Sequence, residues 1–328
     1  MHATCVIAQP IHPIGSELLR AAGFAVQEPK GDRALEKAIA NADAAIVRDG
    51  FSAASMDTAA RLLVIANHGT GTDRIDVEHA SSLGIPVTHT PGVNARSVAE
   101  HALMLMLATA RQAVAADAAT RRGHWGFKYQ RPMLPLYGQT LGIVGFGRAG
   151  QLLCEMASRG LNMRVLVWSP RAERDAVASA GGHTVDTLDE LLTQADVVSL
   201  HRPLRSDTRH TLDAAALARL KPTAIVINTS RGGLIDESAL ADALAAGRLF
   251  GAGLDVFETE PFAPNARLAA FGNVLLTPHV AGSSKEALHA IASHCAQQVI
   301  DALTGREPPD LVRPEVWAVR RRSGVLVV

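Results

Sequence analysis

The sequence has few cysteines, no excess of charge of either sign and no long apolar run. Only three cysteines occur among 328 residues, Cys5, Cys154 and Cys295, and none belongs to a Cys-x-x-Cys pair. This number and spacing exclude a disulfide scaffold and a zinc ribbon, and they indicate a reducing compartment. Because 32 basic residues balance 32 acidic ones, the charge gives no support for binding to nucleic acid or to a membrane surface.

The sequence also shows no targeting or membrane-spanning segment. Its first ten residues, MHATCVIAQP, contain no basic stretch followed by a long apolar one, as a signal peptide would. The longest apolar run, residues 102–108, is much too short to cross a bilayer. We therefore expect a cytoplasmic protein. A length of 328 residues with 48% hydrophobic content suits about two globular domains with sizeable cores.

Short apolar runs alternate with helix-forming stretches along the chain. Few of these runs alternate polar and apolar residues, which indicates strands buried on both faces and predicts an α/β fold with parallel sheets. Residues 98–119 predict one long helix, and residues 123–138 predict a loop packed on a neighbour. The predicted strands are residues 5–8, 44–47, 63–66, 86–88, 141–144, 164–168, 197–200, 224–227 and 274–276.

A glycine-rich turn follows the predicted strand 141–144 and precedes a helix-forming stretch. Gly145, Gly147 and Gly150 form a Gly-x-Gly-x-x-Gly pattern. The first glycine permits a tight turn, the second lets the backbone approach a pyrophosphate, and the third lets the helix pack close to the strand. The helix N-terminus then faces the anion. This strand–turn–helix–strand context predicts a dinucleotide-binding site.

The end of the next predicted strand bears on the choice of cofactor. An acidic residue about 20 positions after the turn would bind the ribose 2′-hydroxyl of NAD. Ser169 stands there instead, and Arg171 follows it. Without a carboxylate a 2′-phosphate is not repelled, and an arginine can pair with that phosphate. The sequence therefore favours NADP(H) over NAD(H).

Six motifs in order give the chain a resemblance to a known family. Together they resemble the D-isomer-specific 2-hydroxyacid dehydrogenases, the family of phosphoglycerate dehydrogenase and glyoxylate/hydroxypyruvate reductase. The resemblance covers about residues 43–305. The motifs are Gly69-Thr-Gly-Thr-Asp73-Arg-Ile-Asp76, Pro91-Gly-Val-Asn94-Ala-Arg-Ser-Val98-Ala-Glu100-His101, His201-Arg-Pro203-Leu204, Asn228-Thr-Ser-Arg231-Gly232-Gly233, Gly253-Leu-Asp255-Val-Phe-Glu258-Thr-Glu260-Pro261 and Thr277-Pro-His279-Val-Ala-Gly282.

The resemblance implies two doubly wound parallel-sheet domains. A Rossmann cofactor domain, residues 98–281, is inserted into a flavodoxin-like substrate domain made of residues 1–97 and 282–328. Substrate is expected in a cleft that closes by a hinge and excludes water. By the same resemblance the protein is a homodimer built through its cofactor domains.

Three side chains carry the expected chemistry, the interconversion of a small 2-keto acid and its D-2-hydroxy acid. Arg231 can hold a carboxylate in its planar fork and polarise the adjacent carbonyl. His279 can donate a proton on reduction and accept it on oxidation. Glu260 can hydrogen-bond the imidazole, fix its tautomer and favour its protonated form. By resemblance these are the family's catalytic arginine, glutamate and histidine.

The resemblance also assigns supporting residues. Asp255 would contact the nicotinamide carboxamide. Asp49 and Phe51 depart from the family's usual Arg-Ser stretch after Arg48, and an acid there disfavours a phosphorylated substrate. Glyoxylate and hydroxypyruvate are the substrates that small size and family suggest. Residues expected at the substrate are Arg48, Gly71, Thr72 and Asn94. Those expected at the cofactor, beside the glycine turn, are Thr70, Phe146, Arg148, Ala149, Ser169, Arg171, Arg202, Pro203, Thr208, Thr229, Ser230, Asp255 and Gly282.

Other functions stay open on the sequence alone. A nucleotide-sensing binding protein, like the corepressors that share this fold, could keep the same residues with little turnover. A formate-type dehydrogenase of the same superfamily pairs its histidine with glutamine, and Glu260 argues against it. We expect no metal site, because His68, His89 and His101 lack the spacing of metal ligands.

Overall fold

A computed structural model describes residues 3–130 and 133–322. The chain divides into two compact units, unit 1 (Met1–Asn94 with Ser283–Val328) and unit 2 (Ala95–Gly282). Unit 1 holds one sheet of five strands and unit 2 one sheet of seven, and every strand pairing is parallel. The predicted α/β fold with two parallel sheets is confirmed.

The sheet of unit 1 is formed by the first part of the chain. Its strand order is β2-β1-β3-β4-β5, the flavodoxin-like order. Alternate residues of β3 face opposite cores: Ala45 and Val47 lie in one, Ala44 and Ile46 in the other. The elements are β1 Thr4–Ile7, α1 Ile14–Ala21, β2 Ala25–Gln27, α2 Asp32–Ile39, β3 Ala44–Val47, α3 Ala53–Thr58, β4 Val64–Asn67, α4 Val77–Ser82 and β5 Val87–Thr88.

The chain then forms unit 2. Its strand order is β12-β11-β10-β9-β6-β7-β8, a doubly wound sheet whose direction of growth reverses between β6 and β9. Ligands of such sheets bind outside the carboxyl ends of the strands at this reversal. The elements are α5 Ala95–Ala110, α6 Ala113–Arg121, β6 Thr140–Val144, α7 Arg148–Leu161, β7 Arg164–Trp168, α8 Arg174–Ser179, β8 Gly182–Thr184, α9 Leu188–Gln194, β9 Val197–Leu200, α10 Ala214–Ala218, β10 Ile225–Asn228, α11 Glu237–Ala245, β11 Gly251–Leu254 and β12 Val274–Leu276. Three short 3₁₀ helices are Trp125–Tyr129, Gly232–Leu234 and Arg267–Ala270.

The last part of the chain returns to unit 1 as α12 (Lys285–Leu303) and α13 (Val316–Val319). Helix α12 packs on α1, β3 and β4, and its Ile291, Cys295 and Val299 complete one of the two cores. Farther on, Val312 donates its backbone N–H to the carbonyl of Val87 at 2.9 Å. The C-terminal segment therefore covers both a face and an edge of the first sheet.

The prediction of one long helix over residues 98–119 is wrong. Two helices, α5 and α6, meet there at a bend of 58°. Gln112 adopts a left-handed conformation, with φ of 48°, at the start of α6. Helix α5 packs on β10, β11, β12 and α7, whereas α6 packs on α5 and the 3₁₀ helix Trp125–Tyr129. The sheet surface that α5 follows is thus not continued under α6, and the helix breaks.

Strand β11 has no counterpart among the predicted strands, because its sequence is Gly-Ala-Gly-Leu. Its glycines allow α5 to lie close to the sheet: a Cβ on Gly253 would stand 2.9 Å from Cβ of Leu105, and one on Gly251 would stand 3.0 Å from Cγ2 of Thr109. Close approach of the Leu105 and Thr109 side chains of α5 to these two glycines explains why this strand shows no continuous apolar run. In the described part of the chain, no helix by itself has both the length and the apolar character to span a membrane.

Candidate functional site

The glycine turn lies at the carboxyl end of β6, beside the reversal of strand order. Gly145 has φ of 97° and donates its backbone N–H to the carbonyl of Trp168 at 2.9 Å. A Cβ on Gly145 would collide with the backbone of His201, and one on Gly150 would stand 2.7 Å from the Gly145 carbonyl. Gly147, the N-cap of α7, faces open space. Two glycines are therefore required by packing, and the third leaves room for a ligand.

This arrangement fits the pyrophosphate of a nicotinamide dinucleotide. The free N–H groups of the first turn of α7 begin at the open Gly147 position, where they can bind an anion. Thr229, after β10 on the same edge of the sheet, has a buried hydroxyl for which the described residues supply no hydrogen-bond partner. A buried unpaired hydroxyl is costly. A bound polar ligand would remove that cost.

Basic side chains gather where β7 and β9 end. The guanidinium carbon of Arg202 lies 4.9 Å from the ring centre of Trp168, the last residue of β7. Burial lowers the pKa of Arg202, and the charges of Arg171 and Arg205 lower it further, while Asp207 opposes the shift. Arg171 and Arg205 therefore both lie close enough to Arg202 to repel it, and an anion bound near Arg202 would relieve this repulsion.

The loop after β9 is stabilised by hydrogen bonds among its own residues. Thr208 is buried; its hydroxyl accepts the backbone N–H of Arg205 at 2.7 Å and donates to the carbonyl of Pro203 at 2.8 Å. The ring of His201 is buried and lies 2.9 Å from the Ser199 hydroxyl, and burial lowers the pKa of His201 to about 4. Thr208 is a predicted cofactor contact, and its hydroxyl forms hydrogen bonds within the loop itself.

Arg231 follows β10 in a turn that Asn228 organises. The Asn228 amide donates to the Arg231 carbonyl at 2.8 Å, and its oxygen accepts the backbone N–H of Ser230 at 3.0 Å. The Arg231 guanidinium donates to the carbonyl of Ser230 at 2.7 Å. A Cβ on Gly232 would overlap the backbone of Phe257. Glycine is therefore required after Arg231, because the turn after β10 packs directly against the turn after β11 at this position.

Glu260 and His279 form a direct pair. Oε2 of Glu260 lies 2.8 Å from Nδ1 of His279, and Oε1 accepts the backbone N–H of Phe257 at 3.0 Å. The Glu260 side chain is 13% exposed and that of His279 is 43% exposed. His279 has φ of 53°, a conformation that is costly for a residue with a side chain. The strain and the pairing both make His279 a candidate for a functional role.

Asp255 anchors the segment that carries His279. Its carboxylate is fully buried and accepts the Thr277 hydroxyl at 2.6 Å and the backbone N–H groups of Val280 at 2.9 Å and Ala281 at 2.8 Å. His101 lies 2.9 Å from the Thr277 hydroxyl and 3.5 Å from Asp255. Sequence reasoning placed His101 near a motif but missed this network, since its members are 176 residues apart.

The catalytic candidates share one edge of the second sheet. Arg231, Glu260 and His279 follow the neighbouring strands β10, β11 and β12, and parallel strands end on the same side. The cofactor candidates after β6, β7 and β9 lie along that edge too. Thr70 is the exception among the cofactor candidates, because it belongs to unit 1.

The substrate candidates, in unit 1, follow its neighbouring strands β3, β4 and β5. Nη2 of Arg48 lies 3.5 Å from the Ser283 hydroxyl. The Asn67 amide donates to the carbonyl of Gly71 at 2.9 Å, which shapes the turn that continues to Thr72. The Thr70 hydroxyl donates to the carbonyl of Thr90 at 3.1 Å and lies 3.5 Å from the Asn94 side chain. The structure thus brings Thr70 and Asn94 together.

Comparison with known proteins gives consistent matches. The profile described as "D-isomer specific 2-hydroxyacid dehydrogenase, NAD binding domain" matches residues 103–281. A glyoxylate reductase of Korarchaeum cryptofilum is 39% identical over 300 residues, 90% of each chain. One from Pyrococcus furiosus is 42% identical over 271 residues, 81% of this chain and 80% of the other.

Solved structures agree in fold. An NADPH-dependent glyoxylate/hydroxypyruvate reductase from Sinorhizobium meliloti, in complex with NADP and malonate, is 30% identical with a TM-score of 0.84, covering 98% of this chain and 100% of that one. The profile, the relatives and the two-sheet fold agree on family and reaction. The chain belongs to the D-isomer specific 2-hydroxyacid dehydrogenase family and is an NAD(P)-dependent oxidoreductase that interconverts a 2-keto acid and a 2-hydroxy acid.

Proposed function

We propose that the protein reduces glyoxylate and hydroxypyruvate to their D-2-hydroxy acids, with Arg231, Glu260 and His279 as catalytic groups and NADPH preferred over NADH. The observation that carries this proposal is the contact of 2.8 Å between Glu260 and Nδ1 of His279. It leaves the other imidazole nitrogen for a substrate oxygen. A nucleotide sensor of this fold could keep the same pair, so turnover is what distinguishes the two functions.

In the proposed reaction His279, Glu260 and Arg231 each have a separate role. A nicotinamide cofactor bound at the glycine turn of β6 and α7 would supply the hydride that reduces the carbonyl carbon of the substrate. His279, protonated and held by Glu260, donates a proton from Nε2 to the developing alkoxide oxygen. Arg231 holds the substrate carboxylate in its fork and polarises the carbonyl. On oxidation the same imidazole accepts the hydroxyl proton, and Glu260 stabilises the resulting charge.

The substrate proposal rests on small size and on a lack of phosphate recognition. Relatives about 40% identical are glyoxylate reductases. Arg48, Gly71, Thr72 and Asn94 are our candidates for contacts with the substrate carboxylate. Asp49 is exposed next to Arg48. Its negative charge opposes a substrate phosphate, so 3-phosphohydroxypyruvate is expected to be a poor substrate.

The cofactor proposal rests on Ser169 and the arginines around it. A 2′-phosphate next to Ser169 would meet no carboxylate at that position, and an anion near Arg202 would offset the repulsion that Arg202 receives from Arg171 and Arg205. Charge-assisted hydrogen bonds to phosphate are worth about 1.5–3 kcal/mol each. One such bond therefore suffices for a tenfold or larger preference.

We also propose that a second copy of the chain covers the exposed apolar side chains of α5, α6 and residues 125–130 and 133–137. Seven of the nine exposed large hydrophobic side chains in the described ranges lie in this one stretch of the chain. A concentration of exposed apolar side chains is typical of an interface between subunits. The seven are Met104, Leu107, Val114, Trp125, Tyr129, Met133 and Tyr137.

The activity is tested by following NADPH and NADH oxidation with glyoxylate, hydroxypyruvate and 3-phosphohydroxypyruvate. We expect turnover of the first two and a higher kcat/KM with NADPH. Arg231→Gln should lower kcat/KM at least about a hundredfold. Arg219→Gln, which removes an exposed arginine paired with Asp189, is the matched control. Tight NADPH binding without turnover on any of these acids would favour a nucleotide sensor instead.

The subunit interface is tested by light scattering of the purified protein. Wild type should have twice the mass of one chain. Val114→Asp, in which a 61% exposed side chain on α6 becomes charged, should shift the mass toward that of one chain. Val319→Asp is the control, because Val319 is 73% exposed and lies in α13 of unit 1. A wild type with the mass of a single chain would contradict the proposal.

A further inference from the structure

The turn that carries Glu260 is held by a residue of another element. The backbone N–H of Glu258 donates to Oε1 of Glu237 at 2.7 Å. Glu237 is the first residue of α11, and the N-cap of that helix is already provided by Asp236, whose side chain accepts the N–H of Ala239 at 3.0 Å. Because Asp236 already accepts the Ala239 N–H, the Glu237 carboxylate is not needed for that role. It accepts the Glu258 N–H instead.

The side chain of Glu258 ties the same turn to the loop after β9. Its Oε1 lies 2.7 Å from Nε2 of His210 and accepts a hydrogen bond from Arg209 at 3.2 Å. His210 in turn donates its backbone N–H to the carbonyl of Gly233 at 2.8 Å. The turn after Arg231 and the turn before Glu260 are thus connected through one set of hydrogen bonds.

Glu237 occupies its position against an electrostatic cost. Burial raises the pKa of Glu237, the charges of Glu258 and Glu260 raise it further, and the hydrogen bond from the Glu258 backbone opposes the rise. Arg209 and His210 contact Glu258, and His279 contacts Glu260. An alanine at position 237 would avoid the repulsion between carboxylates and suit a helix. The hydrogen bond to the Glu258 backbone gives Glu237 a place in the geometry of the neighbouring turn.

We propose that Glu237 is a positioning residue for the reaction: by accepting the N–H of Glu258 it holds the turn in which the Phe257 N–H orients Glu260 on His279. This inference rests on the proposed roles of Glu260 and His279. Glu237 itself contacts a backbone N–H, so it acts through Glu260 and not on the substrate. Loss of the hydrogen bond lets the Glu260 carboxylate rotate, and His279 loses its fixed orientation.

The test compares Glu237→Ala with Glu237→Gln, whose amide oxygen can still accept the Glu258 N–H. Because a misplacement near 1 Å costs about a hundredfold in rate, kcat for glyoxylate should fall about 10- to 100-fold in the alanine variant, with KM changed less than about threefold. The glutamine variant should stay within about threefold of wild type. Asp242→Ala, which removes an exposed acid of α11 paired with Arg267, is the matched control.

Two further readouts separate positioning from stability. The alkaline limit of the kcat–pH profile for reduction should move to lower pH in Glu237→Ala and not in Glu237→Gln, because a misplaced Glu260 stabilises the protonated imidazole less well. Hydrogen exchange of the backbone N–H of Glu258 should be faster in that variant and near wild type in Glu237→Gln. If Glu237→Ala does not fold, Glu237→Ser replaces it, because its hydroxyl is too short to reach the same N–H.

Equal losses of kcat in the alanine and glutamine variants would overturn the inference, because charge and not the hydrogen bond would then matter. Unchanged kcat and unchanged exchange in the alanine variant would overturn it as well. The proposed catalytic roles fail by a different result, namely full activity of His279→Gln. An essential His279 with a dispensable Glu237 therefore rejects this inference alone.

Discussion

The carboxylate of Glu260 lies 2.8 Å from Nδ1 of His279 and is held from its other oxygen by the Phe257 N–H at 3.0 Å. Both oxygens thus have fixed partners, and the imidazole has one defined nitrogen for the substrate. Because Glu260 holds the Nδ1–H of His279, the tautomer is fixed and Nε2 is the nitrogen that can donate a proton. We therefore expect the proposed proton transfer to depend on the negative charge of Glu260 as well as on the shape of its side chain.

Glu260→Gln keeps the shape and removes the charge. We expect kcat for reduction of glyoxylate to fall about 10- to 1000-fold, because the neutral amide does not stabilise the imidazolium. The alkaline limit of the rate profile should move to lower pH. Steady-state rates from pH 5 to 9 measure both effects. NADPH affinity, followed by fluorescence titration, serves as the control and should change little; an unaltered profile would argue against the pairing.

Asp255 offers a test of the segment that carries His279. In Asp255→Asn an amide NH₂ replaces one of the two oxygens that accept the N–H groups of Val280 and Ala281. The NH₂ group of the new amide then faces a backbone N–H in a fully buried place, and neither can accept a hydrogen bond. This arrangement lowers the free energy of unfolding by about 1–3 kcal/mol. Urea unfolding measures this cost, and kcat should fall with it. Asp242→Asn, at an exposed acid, should change neither quantity.

The cofactor preference is expected to depend on the residues after β7. Ser169→Asp introduces a carboxylate where a 2′-phosphate would lie, so kcat/KM should fall about 10- to 100-fold for NADPH relative to NADH. Arg171→Gln should lower the same ratio through loss of a phosphate partner. Arg174→Gln is the matched control, since Arg174 pairs with Asp186 at 2.9 Å. Calorimetric binding of NADP⁺ and NAD⁺ checks the ratio without turnover.

Stability should fall in mild acid because of buried histidines. Burial lowers the pKa of His201 to about 4, and burial with the Arg48 charge lowers that of His68 to about 4. Below the unfolded value of about 6.5 the unfolded chain takes up protons that the folded one does not, so stability is present above this pH and is lost as pH falls toward 4. Each histidine then contributes on the order of 2 kcal/mol of loss at pH 5.

His201→Gln should remove its share of that slope. The measurement is the unfolding free energy in urea at pH 7 and pH 5, for which the difference in the variant should be smaller than in wild type by about 2 kcal/mol. His124→Gln, at an exposed position, is the control. The variant is expected to be less stable at pH 7, because the hydrogen bond with Ser199 is disturbed. An identical slope in both proteins would contradict the assignment to His201.

Apolar runs in the sequence predicted the parallel sheets and the ends of most strands. Short motifs rich in glycine or acidic residues then identified the candidate side chains that follow those strand ends. What they missed depends on distant contacts. Strand β11 is defined by the approach of α5 to Gly251 and Gly253, and the break at Gln112 by the lack of sheet beneath α6. The edge strands β2 (Ala-Val-Gln) and β8 (Gly-His-Thr) are partly exposed and contain no apolar run, so nothing in the sequence marked them. Glu237 is separated from Glu258 by 21 residues and shows no local signal.

Helix α12 closes a core whose strands are encoded more than 200 residues earlier, between Cys5 and Ala66. When the strands of unit 1 leave the ribosome, this core has α1 but still lacks α12, because all of unit 2 is still to be made. Unit 2, in contrast, is a single continuous stretch that can fold as it emerges. The second domain in the sequence is thus the first whose core can be completed during synthesis.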